Sequence, residues 1–533
     1  MNLTLEGIAK KEDWERVGIR LPAYDVRKVA KETREHPKWL HFGAGNIFRI
    51  FIGQIADQLI SEKEMTAGIT CAETFDFDVI DSIYKPYDNL VLAVTLNADG
   101  KTDKQVLGSL GEALKTTGED LNRLMEIAAD QELQLCSFTI TEKGYALKGN
   151  DGAFFPWIKA DIEAGPKAPT SAMAVVTAFL HERFKAGKLP LAVVSMDNCS
   201  HNGQILKEAV LTIAGEWQEK GFVSKAFLEY LENETLVSFP WSMIDKITPR
   251  PAKSVSEELT AMGIAGMEPG ITSKNTYIAP YVNAEGPQYL VIEDHFPNGR
   301  PAFEKAGVYM TDRDTVNKVE RMKVTTCLNP LHTALAVYGC LLGYTLISEE
   351  LKDEELRKLI WQIGPVEGMR VVTNPGILSP AEFVREVIEV RLPNPFMPDA
   401  PQRIATDTSQ KVGIRFGETI KAYVEKDGDA KKLKAIPLAI AGWCRYLLGV
   451  DDDLKEFELS SDPMLEELKA QLKGIKAGVP ETYCGQLKMI LENERIFGIN
   501  LYKAGLGNEI EKLFAEEIAG AGAIRRTLQK YLP

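Results

Sequence analysis

The chain has 533 residues, too many for a single hydrophobic core, and its length points to two to four domains. With 45% hydrophobic and 26% charged residues it has the composition of an ordinary globular protein, which argues against long disorder. A net charge of −14 disfavours nucleic acid and anionic membrane as partners, since either needs a basic face, but a few local arginines can still reverse the sign of a pocket for a small anion.

Residues Met1 to Lys38 read as a polar lead-in with a short helix around Asp25 to Arg34, ending before His36-Pro37. Trp39-Leu40-His41-Phe42 then reads as a strand entering the turn Gly43-Ala44-Gly45, with a buried helix over Ile50 to Ile60. A strand, a Gly-x-Gly turn and a helix make a phosphate cradle: Gly43 and Gly45 let a pyrophosphate approach the backbone of Asn46 and Ile47 at the helix start. The position of a third glycine is Phe48, so a plain strand-to-helix turn is the competing reading. Arg49 has two readings, a pyrophosphate contact or a solvated helix charge.

Ala67 to Glu73 fits a second parallel strand ending in an acid 28 residues after Gly45. An acid there accepts from the adenosine ribose hydroxyls and repels a 2′-phosphate, which favours NAD; Glu73 is the candidate, with Asp76 and Asp78 close by. Asn89 to Leu96 is a further strand and Leu121 to Ala129 a helix. Leu135 to Tyr145 is a strand entering a polar loop that carries Thr141 and Glu142, where an open α/β sheet presents ligand contacts. After a helix over Ala172 to Ala186, the buried strand from Pro190 breaks into Asp197-Asn198 and His201-Asn202-Gly203. Asn198 at that mouth can reach substrate and cofactor together, or Asp197 and Asn198 can cap the helix Gly203 to Gly215. Ser242 to Arg250, which carries Asp245 and Arg250, follows. Tyr289 to Phe296 is a final strand, with His295, Asn298 and Arg300 placed at the cleft border. Strands alternating with helices imply a doubly wound, mostly parallel Rossmann-type sheet over 1–300.

From about residue 300 to 533 the periodicity is helical. Arg321-Met322-Lys323-Val324-Thr325-Thr326-Cys327-Leu328-Asn329-Pro330-Leu331-His332 packs a lysine, an asparagine and a histidine among apolar and small residues, and an apolar helix, Thr333 to Tyr344, continues it. Burial disfavours an ammonium, so a lysine in such a setting can exchange a proton with substrate. An asparagine beside it can donate to a developing oxyanion, and a histidine can orient a hydroxyl or the lysine. A solvated lysine and a satisfied core histidine are the alternatives. Ser379-Pro380-Ala381-Glu382 is a capping box opening a helix to about Arg391. Ala435 to Leu448, Pro463 to Lys473, Cys484 to Asn493, Glu509 to Ala519 and Ala523 to Tyr531 are the other helices. The polar loop Arg391 to Asp399 and the run Arg403 to Lys411 hold fork-type donors suited to a carboxylate, with Arg391 and Lys411 as first choices and Arg403 beside them. An ordinary loop with surface ion pairs is the competing reading.

Taken together, these motifs resemble the mannitol dehydrogenase family, the metal-independent long-chain polyol and hexuronate dehydrogenases, from about Trp39 onward. The matching stretches are Gly-x-Gly-x-x-x-Arg, Thr-Glu-x-Gly-Tyr, Asp-Asn followed by Asn-Gly, Met-Ile-Asp-Lys-Ile-Thr-Pro, the Lys-Asn-His order, and Arg-x-x-Asn-Pro with the run from Arg403 to Lys411. The resemblance implies Lys323 as general acid/base with Asn329 and His332 as partners and Asn198 as second oxyanion donor. It also implies Thr141 and Glu142 near the nicotinamide, and the 391–411 stretch on the substrate side of a site between the two domains. The chain departs from the family in one place. One extra residue separates Lys323 from Asn329, and Pro330 replaces a glycine. On an unbroken helix those two side chains would point roughly 120° apart. Pro330 cannot donate to the Thr326 carbonyl and disfavours helix at Asn329, so a break or a π-bulge is expected between Met322 and His332.

The expectation is therefore a metal-independent, NAD-dependent oxidoreductase acting on a sugar acid or polyol; the long N-terminus and the Cys-Leu-Asn-Pro-Leu-His variant resemble the hexuronate branch. A Rossmann-type NADH-binding sensor without turnover is the reading from another class. The seven cysteines, Cys71, Cys136, Cys199, Cys327, Cys340, Cys444 and Cys484, have no CxxC pairing and read as reduced cytosolic thiols. No signal peptide or membrane-length apolar run is apparent, so a cytoplasmic location is expected.

Overall fold

Strands β1 (Trp39–Phe42), β2 (Ile69–Glu73), β3 (Leu110–Lys115), β4 (Leu135–Phe138), β5 (Leu191–Ser195) and β6 (Val237–Ser238) form one sheet in the spatial order 3-2-1-4-5-6. Every pairing in it is parallel, with Phe42 opposite both Ala72 and Phe138 and Phe138 opposite Ser195. This is the doubly wound order, whose direction of winding reverses between β1 and β4. The strands are apolar on both faces because both are covered. Leu40, Phe42, Cys136, Phe138, Leu191 and Val193 enter one core, with Leu124, Phe179 and Trp217 from three helices. Trp39, Leu135, Ala192 and Val194 enter the other, against Phe48, Phe51 and Ile55.

The computed structural model describes residues 1–149 and 151–532. They fall into two units, Met1–Asn97 with Lys101–Asn317, and Ala98–Gly100 with Lys318–Pro533. The first unit carries more antiparallel structure than its sequence announces. Val91–Leu96 belongs to a second sheet, antiparallel to Thr102–Leu107 and parallel to Tyr281–Glu285. Ser242–Asp245 and Tyr289–Glu293 pair antiparallel in a third. Thr102–Leu107 and Leu110–Lys115 are easily passed over because polar and small residues interrupt their alternation. Lys104 is buried on Glu258 at 2.6 Å, and a Cβ on Gly111 would meet the Thr33 hydroxyl at 2.2 Å.

The second unit is helical. Asn329–Leu341 is buried nearly all round and packs on Ala435–Tyr446, which packs in turn on Gly507–Glu517. Ser379 caps Pro380–Glu386 by accepting from Glu382 N at 3.3 Å, and the helical path widens into a π-turn over Val387–Arg391. Of the helix expected over Cys484 to Asn493 only Lys488–Leu491 forms, since Gly485 sits at φ +88°, outside helical space.

In the centre of this unit Tyr338 donates to Glu517 Oε1 at 2.6 Å, and burial pushes the Glu517 carboxyl up to about 8. A carboxyl whose folded pKa is raised binds its proton more tightly in the native chain. Its stabilising share is therefore complete below the unfolded value near 4.5 and is lost as pH rises through about 8. Glu517→Gln, which keeps an acceptor for Tyr338 without a titrating proton, is expected to flatten that loss and to melt higher than the natural chain at pH 9. The difference should be on the order of a few kcal/mol across the window. Superimposable pH profiles of the urea midpoint would show that this carboxyl does not titrate there.

Candidate functional site

The C-terminal ends of β1, β2, β4 and β5 are tied together by three links, each made by a residue singled out in the sequence. Glu73 at the end of β2 accepts from Ala44 N through Oε2 at 2.8 Å, which fixes the glycine turn after β1. Its Oε1 takes the amides of Thr74, Phe75 and Asp76 at 3.0, 2.8 and 3.1 Å. Gly43, at φ +102°, lies so close to the end of β4 that a Cβ would stand 2.3 Å from Thr139 O, so only glycine fits. Asp197, just beyond β5, accepts from Ile140 N and Thr141 N, both at 2.9 Å, and from the Tyr145 hydroxyl at 2.6 Å. Burial pushes the Asp197 carboxyl up, and these three donors work against that push.

Around this frame the remaining candidates divide. Gly45 is exposed, and nothing lies within 4 Å of a Cβ built on it, so the turn is open on that side. Asn46 and Ile47 open the helix that follows, which runs as a π-turn over Phe48–Ile52 before Gly53–Ser61. Asn198 is exposed beyond β5, and Glu142 is exposed in the short helix Thr141–Tyr145. Arg49 follows neither of its two readings. Its guanidinium is buried and donates to Ala279 O and Pro280 O at 2.9 and 3.0 Å, because the wide π-turn aims it into the second sheet. The expected cap at Asp197 and Asn198 is also displaced. The helix Asn202–Glu219 has His201 at its N-cap, and the buried Asn202 amide bridges Asp197 O, Ser195 O and Ser242. Arg300, placed at a cleft border by the sequence, is paired with Asp294 and Glu304, each at 2.7 Å.

In the second unit the expected irregularity is present at the lysine. Lys323–Cys327 forms a π-turn, with Leu328 N donating to Lys323 O at 3.1 Å across five residues. Leu328 then leaves helical geometry at φ −127°, ψ −61°, and Asn329–Leu341 begins afresh with Pro330 in its first turn. Lys323 is buried at 4% exposure. The Asn329 amide stands partly buried at the start of the new helix, and His332 follows one turn on. His332 Nε2 lies 3.0 Å from Asp399 Oδ2. Burial works to raise the Asp399 carboxyl, but His332 and Arg403 overcome it and hold it below the usual range. Its neighbour Glu350, packed where Gly339 lacks a Cβ, is pushed up to about 10 by burial and so stays uncharged, leaving one negative charge for His332 and Arg403.

Of the three substrate-side candidates, Arg403 is thus committed to Asp399 through Nε at 2.8 Å. Arg391 is buried in the π-turn Val387–Arg391. Lys411 is partly buried and donates to the carbonyls of Thr406 and Ile404. Residues that sequence reasoning passed over are Asp399, Tyr145 and Asn202, each inside a quoted motif yet given no role. Arg415 was missed too, and it donates through Nη1 to Thr333 Oγ1 at 2.5 Å.

Comparison with known proteins agrees with this division of the chain. Residues 37–305 match the family profile described as the mannitol dehydrogenase Rossmann domain, and residues 315–515 match the mannitol dehydrogenase C-terminal domain. The chain belongs to the mannitol dehydrogenase family. It is 53% identical to a D-mannonate oxidoreductase of Thermotoga maritima over 99% of each chain, and 29% identical to a mannitol 2-dehydrogenase of Emericella nidulans over 96% of each. Among solved structures it resembles the Pseudomonas fluorescens mannitol 2-dehydrogenase in ternary complex with NAD and D-mannitol, with a TM-score of 0.69 and 25% identity over 99% of each chain. The Rossmann sheet and the helical second half read from the sequence are those of this family.

The Glu73 carboxylate serves backbone amides on both of its oxygens, and Glu73→Gln leaves only one oxygen to accept. The variant is expected to lose about 2–4 kcal/mol of stability, the scale of buried amides left without a charged acceptor. Urea unfolding measures this, and a loss below about 0.5 kcal/mol would mean the turn holds itself.

Proposed function

We propose that the chain is an NAD-dependent oxidoreductase interconverting D-fructuronate and D-mannonate. The observation that carries this reading is 53% identity, over 99% of both chains, to a D-mannonate oxidoreductase, in a chain that buries Lys323 in the π-turn preceding the helix of Asn329 and His332. The glycine turn fits a dinucleotide. Its open side at Gly45 leads to the helix that starts at Asn46 and Ile47, where backbone amides and the helix dipole suit a pyrophosphate. Glu73 holds that turn and puts a fixed carboxylate at the end of β2, which favours NAD by repelling a 2′-phosphate. Thr141 and Glu142 are assigned to the nicotinamide end, and Asp197 to the cofactor side through its hold on the Ile140 and Thr141 amides; Arg49 is assigned to the fold instead.

When bound, the dinucleotide supplies the hydride that reduces the ketone carbon. Lys323 Nζ donates the proton that the former ketone oxygen requires, and accepts it in the reverse direction. Asn329 donates a hydrogen bond to that oxygen as negative charge builds on it, and Asn198 is the second donor. His332, held through Nε2 on Asp399, keeps Nδ1 to orient a substrate hydroxyl or the lysine. Arg391 and Lys411 are assigned to the substrate side as positive charge for a carboxylate, whereas Arg403 is engaged by Asp399 and only balances that acid.

Following NADH oxidation with D-fructuronate, D-tagaturonate and D-fructose side by side tests the substrate assignment, and preference for the uncharged ketose would overturn it. Lys323→Met is expected to lower kcat by about 10²–10⁴ with NADH affinity retained, the range for loss of a general acid. A variant that turns over normally would remove the lysine from the chemistry and favour an NADH-binding sensor.

A further inference from the structure

Lys411 and Arg415 are neighbouring cations, and among the described residues neither forms an ion pair with an acid, although Asp407 and Asp462 act on Lys411 from a distance. Arg415 lies in the π-turn Gly413–Gly417, which is pressed against the backbone of Ile496 and Phe497. A Cβ on Gly413 would come within 2.6 Å of Ile496 O, and one on Gly417 within 1.9 Å of Phe497 O. Only glycine allows that contact at either end, so the backbone position of Arg415 between them is fixed. Its guanidinium makes one hydrogen bond, to Thr333, the residue after His332. Four of its five N–H groups are left over, and among the described residues no carboxylate pairs with it. Burial lowers its pKa to about 10, with no nearby anion to offset the loss of hydration.

The surrounding acids are already engaged. Glu418 holds Arg321 at 2.6 Å and also Lys421, and Asp399 holds His332 and Arg403. Asp462 accepts from Ser409 N at 2.8 Å and Met464 N at 2.9 Å. Lys411 has only carbonyl partners, and burial followed by the charge of Arg415 lowers its pKa. Arg415 is a desolvated cation with no acid facing it, and Lys411 beside it is only partly offset by Asp407 and Asp462; the turn that carries Arg415 packs on the segment of Lys323 and His332. An anion bound there would repay their desolvation, and a planar guanidinium fork matches a carboxylate better than a hydroxyl.

We propose that Arg415 is the residue that reads the substrate carboxylate, with Lys411 as the second cation, and that it sets the preference for a hexuronate over an uncharged ketose. This rests on the sugar-acid reading given above. The test compares kcat/KM for D-fructuronate and D-fructose in the natural enzyme, Arg415→Met and Arg415→Lys. Arg415→Met is expected to lower the fructuronate-to-fructose ratio about 10- to 100-fold, the range for a lost charge-assisted hydrogen bond. The loss should appear mainly in KM for fructuronate, with partial recovery in Arg415→Lys and on addition of guanidinium ion. If fructose turnover is too slow to measure, the split between KM and kcat for fructuronate decides. A rise confined to KM supports the carboxylate role, and a fall in kcat alone overturns it. Should Arg415→Met fail to fold, Thr333→Val, which removes only the anchoring hydroxyl, must lower the same ratio or raise the same KM; equal losses on both substrates overturn the proposal. A natural enzyme that prefers fructose would instead refute the sugar-acid reading itself, whereas a fructuronate preference kept intact in Arg415→Met would refute Arg415 alone.

Discussion

Pro330 has no N–H to give and its ring collides with helical geometry before it, and the arrangement around Lys323 follows from that. A helix arriving from Arg313 cannot run through Asn329 without leaving the Thr326 carbonyl unserved. It widens instead, Leu328 N reaching back five residues to Lys323 O, and restarts with the proline in a first turn where no N–H is needed. The widened turn absorbs the additional residue between lysine and asparagine. Other buried or partly buried cations are carried in the same way: Arg49, Arg391 and Arg415 each lie in a π-turn of their own. A π-turn admits one residue more than the helix around it, which changes the facing of a single side chain without disturbing its neighbours. In an apolar helix that is an economical means of directing one charge inward.

Acids do the complementary work on the backbone. Glu73 gathers four amides, Asp197 two, and Glu367 the amides of Lys434, Ala435 and Ile436 at the start of a buried helix. The buried amides among them, such as Ala44 N, Ala435 N and Ile436 N, would otherwise be unpaired donors costing roughly 1–3 kcal/mol each, and the part-buried ones less. In the Rossmann unit these carboxylates link neighbouring strand ends at the point where the winding reverses, where an open sheet needs a rigid mouth. The acid at the end of β2 therefore has a structural duty that is independent of any ribose.

The parallel strands and long helices were legible because their signals are local. Runs such as Leu191–Ser195 are apolar on both faces, and Asp25 and Ser379 cap the helices they precede. Pro330 could be read for the same reason, since proline acts on its own turn. What could not be read depended on distant partners. The buried Lys104 looks like a solvent residue until Glu258 is placed beside it, and Arg49 looks like a phosphate ligand until the carbonyls of Ala279 and Pro280 are. Arg415 gave no signal of its own. Its environment is set by Thr333, by acids already paired elsewhere, and by two glycines fitted against residues about eighty positions further on.

The charge of −14 and the proposal of an anionic substrate are compatible once the charges are sorted by what they face. At physiological salt the Debye length is about 8 Å, so scattered surface acids hardly oppose an anion that has reached a pocket. Several of the acids are not available to oppose it in any case: Asp161 and Asp452 are turned onto backbone amides, and Glu350 is uncharged through burial. Around Arg415 the balance is set locally, because Asp399 is paired with Arg403 and Glu418 with Arg321 and Lys421, while Asp407 and Asp462 act on Lys411 alone. A guanidinium that has given up part of its hydration gains more from a carboxylate than one in water does, since the same low-dielectric surroundings that weaken its hold on a proton strengthen its attraction for an anion.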